Sequence, residues 1–106
     1  MSFENIAEKT LESLMDRIDE VLGGCLDVDL VGGVLTIELE TGACYVINKH
    51  APNRQIWVSS PISGASHFDY HEGRDEWIST RSEATLTGLL AQELGAATGI
   101  PIDLDQ

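Results

Sequence analysis

The chain is 106 residues long and carries 18 Asp plus Glu against 6 Lys plus Arg, a formal net charge of −12. That length fits one domain with a modest core, and 42% hydrophobic beside 23% charged residues is a globular composition. No apolar run approaches the roughly 18 to 20 residues of a membrane-crossing helix, and the acid excess argues against nucleic acid, whose phosphates are bound by Lys and Arg; a cation or a basic protein surface is the expected partner.

Between residues 2 and 22, Ala7, Leu11, Leu14, Ile18 and Val21 recur in steps of four and three, which places them on one stripe of a helix. Gly23-Gly24 stops it. Short β-branched segments follow at residues 25–30, 34–40, 43–48 and 54–60, separated by turn chemistry at Gly32-Gly33, at Thr41-Gly42 and in a loop through Pro52. Alternation turns Val28, Leu30, Leu35, Ile37, Leu39, Ile56 and Val58 inward, and Asp27, Asp29, Glu38, Gln55 and Trp57 outward. A further strand has Phe68 and Tyr70 inward and His67, Asp69 and His71 outward; residues 76–79 form a last short strand. A second helix is predicted over residues 85–97, with Thr85 as N-cap, Leu86, Leu89, Leu90, Leu94 and Ala97 on one face, and Gly99-Ile100-Pro101 at its end. One apolar stripe per helix and one apolar sheet face predict an α+β, two-layer sandwich: two helices on one face of a five- to six-stranded antiparallel sheet, in a single domain over residues 1–106.

The opening residues Met1-Ser2-Phe3-Glu4-Asn5 lack the basic and apolar regions of a secretory signal and are too acidic for a mitochondrial presequence, so a cytoplasmic location is expected. Cys25 and Cys44 match no zinc or redox spacing and read as free thiols.

Glu4, Glu8, Glu12, Asp16 and Glu20 follow one another at i, i+4, with Asp19 beside the last pair and Asp27 and Asp29 beyond the helix. Like charges at this spacing repel by roughly 0.2–0.5 kcal/mol per pair. Only Lys9 and Arg17 interrupt them. A negative surface built against helix stability is a candidate functional site. Carboxylates suit hard cations such as Mg2+, Ca2+, Mn2+ and iron, bound weakly because no loop fixes a coordination number; the plain alternative is a solvated face that keeps an acidic protein soluble.

A second candidate is the unit Asn48, Lys49, His50, Asn53, Arg54, Gln55 and Trp57, where amide, basic and aromatic side chains suit a protein contact on the sheet. Covering of Trp57 by a neighbouring segment is the competing reading. His67 and His71 share a strand face with Asp69, and His50 could approach if its loop folds over, a possible secondary metal site for Zn2+, Fe2+ or Co2+. Catalytic motifs such as HExxH, GxSxG, a P-loop or CxxC are missing, which weakens an enzyme reading.

Several segments resemble the frataxin family in order and spacing. They are Asp27-Val28-Asp29-Leu30, Gly33-Val34-Leu35-Thr36-Ile37, Tyr45-Val46-Ile47-Asn48-Lys49, Pro52-Asn53, Gln55-Ile56-Trp57, Ser59-Ser60-Pro61, Ser63-Gly64 and Phe68-Asp69-Tyr70, with Leu86 and Leu89-Leu90. The helix from Ala7 to Leu14 also resembles the family's first helix. The wording is closer to mitochondrial frataxins than to many bacterial CyaY-type ones, and a bacterial frataxin is inferred.

The resemblance implies an acidic ridge that binds Fe2+ or Fe3+ weakly at Glu8, Glu12, Asp16, Asp19, Glu20, Asp27 and Asp29. It implies a face made of Asn48, Lys49, Asn53, Gln55 and Trp57 that contacts the cysteine desulfurase and iron-sulfur scaffold protein. The expected function is non-enzymatic regulation of iron-sulfur cluster assembly by a monomer; the alternative is a ferroxidase or iron-storage protein that oligomerises with iron. A third possibility is an interaction module whose acids bind only protein. His50 stands where many relatives carry Gln and His67 where Arg is common, so the contact or the metal surface could differ here.

Overall fold

The structure, a computed structural model, describes residues 2–104. Helix α1 spans Phe3–Leu22 and begins where the Ser2 hydroxyl accepts the Asn5 N–H at 3.2 Å, satisfying one of the donors a helix start leaves open. Its buried stripe is Ala7, Leu11, Leu14, Ile18 and Leu22. Leu22 replaces the expected Val21 because a residue four on from Ile18 lies about 40° off its direction and one three on about 60° off. Val21 is half-buried at the flank.

Six strands follow in an antiparallel meander whose spatial order is the chain order: β1 (Leu26–Val31), β2 (Val34–Leu39), β3 (Cys44–His50), β4 (Gln55–Ser60), β5 (Gly64–His71) and β6 (Glu76–Ser79). Most ends fall within a residue or two of expectation. The change that matters is β3, which continues to His50, so this histidine is a strand residue and not part of a loop. Val31 pairs with Val34 across a two-residue turn in which Gly32 and Gly33 have φ of 59° and 80°. Positive φ at both positions is what a turn matched to strand twist needs, and glycine supplies it without strain. A single 3-10 turn, Ala51–Asn53, joins β3 to β4.

Helix α2 spans Leu86–Thr98; Thr85 caps it by accepting the Gly88 N–H at 3.0 Å, and Gly99 ends it at φ 74°. Leu86, Leu90 and Leu94 are buried, Leu89 is half-buried, and Ala97 is exposed, against expectation. Steps of four carry this stripe on to Thr98, whose hydroxyl bonds the Leu94 carbonyl at 2.7 Å.

Leu35, Ile37, Tyr45, Ile47, Ile56, Val58 and Phe68 project from one sheet face into the core shared with both helices, the expected two-layer α+β sandwich. Trp77 lies beneath α1 with its indole N–H donated to Thr10 Oγ1 at 2.9 Å. Tyr70 is half-buried, its ring 5.1 Å from that of Trp77. Glu93 fastens α2 to the sheet: its carboxylate accepts the hydroxyls of Tyr45 (2.8 Å), Ser60 (2.6 Å) and Ser63 (2.7 Å). Ser60 Oγ in turn accepts the N–H groups of Ile62 and Ser63, both at 3.0 Å, which closes the β4–β5 turn.

Candidate functional site

Every acid of the expected ridge is exposed: Glu8, Glu12, Asp16, Asp19 and Glu20 on α1, Asp27 and Asp29 on β1. Helix α1 packs chiefly over the edge strand β1, so both sets flank the same side of the molecule. The helix lies on the inner sheet face and the two strand aspartates point from the outer one, so the ridge wraps around the edge. Asp27 pairs in register with Glu38, a like-charge juxtaposition that costs stability. The last turn of α1 holds no basic residue, so Asp19 and Glu20 face the negative end of the helix dipole.

Two cations reach into this field. Arg17 lies 3.4 Å from Glu20, and Lys49 Nζ lies 3.6 Å from Glu8. Both pairs are partly exposed and offset little of the repulsion. Among the described residues no three His, Cys, Asp or Glu side chains gather as a cage for a metal ion. Separated, exposed carboxylates can hold a hard cation through one or two oxygens with water completing its shell, an arrangement suited to weak and exchangeable binding.

On the outer sheet face the register aligns Val31, Val34, Asn48, Trp57 and His67 in one row across five strands, and His50, Gln55 and Asp69 in the next. The outward indole predicted from the alternation is present, and its surroundings account for it. The His50 ring lies 3.7 Å from the Trp57 ring at an interplanar angle of 9°, and the His67 ring 4.3 Å away at 16°. They come from the strands on either side of β4, so the indole sits between two imidazoles. Its N–H is donated to Gln55 Oε1 at 2.9 Å, and Gln55 Nε2 donates to Asp69 Oδ1 at 3.0 Å.

Of the expected contact residues, Asn48, Gln55 and Trp57 therefore share one patch. Asn53 is exposed on the 3-10 turn at its rim. Lys49 does not join them: it pairs in register with the core residue Ile56 and points to the helix side, towards Glu8. His50 and His67 are held apart by the indole, and His71 is exposed at the end of β5.

Three features escaped the sequence reading: the link from Asp69 to Gln55, the exposed Val31 (66%) at the end of the row, and Glu93. For Glu93 a signal existed, since it lies seven residues after Leu86 on the core-facing side of α2. A groove of about 770 Å³ opens between α1, α2 and β6, lined by Lys9, Arg17, Arg74, Trp77, Leu86 and Leu104 among others, and it includes none of the ridge or patch residues.

Comparison with known proteins gives a consistent picture. The family model described as a frataxin-like domain matches residues 1–100. The chain is 42% identical over 106 residues to the mitochondrial frataxin of Arabidopsis thaliana, covering 96% of this chain but only 57% of that protein. It is 40% identical over 105 residues to the iron-sulfur cluster assembly protein CyaY of Thioalkalivibrio sulfidiphilus, covering 98% of this chain and 97% of that one. Trimeric frataxin from the yeast Saccharomyces cerevisiae, in a crystal structure with ferrous iron, superimposes with a TM-score of 0.80 at 40% identity, over 89% of this chain and 86% of that one.

Proposed function

This chain belongs to the frataxin family, and from that premise we propose that it is an iron-binding regulator of iron-sulfur cluster assembly, acting without catalysis of its own. Glu8, Glu12, Asp16, Asp19, Glu20, Asp27 and Asp29 hold Fe2+ loosely, and Mg2+, Ca2+ or Mn2+ compete for them through the same oxygens. The outer sheet face around Asn48, Gln55 and Trp57 docks a cysteine desulfurase with its scaffold protein, Asn53 adding a contact at the rim. The observation that carries this reading is the separation of the uncaged carboxylates, on α1 and the edge strand β1, from an outer sheet face of ordered rings and amides. Metal can then be held and released without disturbing the docked face. The negative edge also steers the protein onto a basic partner surface. A bacterial cytoplasm is the proposed setting, supported by the 40% identity to the CyaY protein of Thioalkalivibrio sulfidiphilus.

An anaerobic Fe2+ titration of 15N-labelled protein, followed residue by residue with Mg2+ as control, tests the ridge. Broadening is expected at residues 8–29 alone. Broadening around His50, His67 and His71 would move the metal to the sheet face, and no iron-specific change would leave an acidic protein-binding module.

The trimeric, iron-bound yeast relative favours a second reading, in which the chain assembles in iron as a ferroxidase or store. Oxygen uptake and light scattering during aerobic Fe2+ addition separate the two, because a regulator leaves autoxidation nearly unchanged and stays monomeric.

A further inference from the structure

We infer that His50 and His67 are positioning residues which, by covering both faces of Trp57, hold it as a preformed docking element that a partner meets at the indole edge. The inference rests on the proposed docking role of this sheet face. Both indole faces are occupied, at 3.7 and 4.3 Å, and the indole N–H is already donated to Gln55, itself tied to Asp69. A partner therefore finds no free face for stacking or for an arginine, and no free indole donor; it finds the outer edge of Trp57, fixed between the two imidazoles. The surface that fits is a narrow slot for that edge, flanked by basic side chains opposite Asp69, Asp29 and Asp27, which lie on the same outer face.

One observation favours docking as the reason for the stack: Trp57 is held from both neighbouring strands and from its own strand, so its side-chain freedom is lost before any encounter and not during it.

The test measures the affinity of the full chain for the desulfurase–scaffold complex by calorimetry, for wild type and for W57A, H50A, H67A, H50F and H67F, with the Trp57 Hε1 resonance of each variant recorded. Trp57→Ala should weaken binding by about 30-fold or more, as loss of a central anchor does. His50→Ala and His67→Ala should each weaken it by about three- to tenfold, the cost of ordering one large side chain on binding, and should broaden or split the Trp57 Hε1 signal. His50→Phe and His67→Phe, which stack but cannot hydrogen-bond, should bind within about twofold of wild type and keep one sharp signal. If Trp57→Ala weakens binding while both alanine variants bind like wild type, the positioning role is wrong. Phenylalanine variants as weak as the alanine ones would overturn it too, since the histidines would then act through their nitrogens. Unchanged binding by Trp57→Ala would instead remove the docking role of the face.

Discussion

Lys49 Nζ lies 3.6 Å from Glu8 Oε2, which puts the strand lysine on the helix side of the sheet and leaves Trp57 on the other. Lys49 stands next to Asn48 in sequence, yet the period of two that turns Asn48 towards Trp57 turns Lys49 away from it. Lys49→Ala should therefore change affinity for the desulfurase–scaffold complex by about twofold or less, as peripheral contacts do. It should lower stability by about 0–1 kcal/mol, the usual worth of an exposed ion pair. Parallel calorimetry and urea titration check both; a loss as large as that of Trp57→Ala would place Lys49 in the contact.

Glu93 accepts three hydroxyls that come from β3, β4 and the β4–β5 turn. Glu93→Ala would leave the buried Tyr45 hydroxyl without its acceptor and free the turn from α2, an expected loss of about 2–4 kcal/mol in urea unfolding. Glu93→Gln, which keeps an acceptor oxygen, should lose less. Equal stability of the alanine variant and wild type would mean that the carboxylate is not a fastening.

The same cluster sets the alkaline limit of stability. Burial, reinforced by Glu93, holds the Tyr45 phenol far above its ordinary pKa. A folded pKa above the unfolded one means that the native state keeps its proton longer. This contribution is complete below about pH 10, the unfolded tyrosine value, and is lost as pH rises from there towards the folded value. Tyr70, held above its ordinary value chiefly by its hydrogen bond to Asp75, adds in the same direction. For the Tyr45 phenol, unfolding free energy should fall above pH 10 by up to about 1.4 kcal/mol per pH unit. Tyr45→Phe should flatten the curve, and a variant that follows wild type between pH 10 and 11.5 would refute the assignment.

Repulsion along α1 should be measurable as stability withheld. Glu12→Gln combined with Asp16→Asn removes i, i+4 like-charge pairs, and a gain of about 0.5–1.5 kcal/mol is expected at low salt. The gain should shrink at 1 M salt, where the Debye length falls to about 3 Å. Thermal melts at two ionic strengths provide the check; an unchanged or lowered melting temperature at low salt would contradict the repulsion. The same pair should reduce the Fe2+ response of the neighbouring amides.

Much was legible without coordinates, because local physics set it. The stripe from Ala7 to Ile18, the Thr85 cap, the alternation of Leu35, Ile37, Ile56 and Val58, and the exposed run of acids each follow from a period, a cap or a charge spacing within a few residues of chain. The outward direction of Trp57 was equally local. What covers Trp57 was not: His50, Gln55, His67 and Asp69 meet it only through the register of three strands, which turn lengths and one extra pair of residues at the end of β3 decide. Lys49 on the helix side and Glu93 beneath the β4–β5 turn are likewise products of packing, for no property of a lysine or a glutamate in sequence names the side chain that will stand opposite it. Periodicity assigns each residue to a face, and tertiary structure alone chooses its neighbours there, because register is a long-range property of the assembled sheet and not of any one strand.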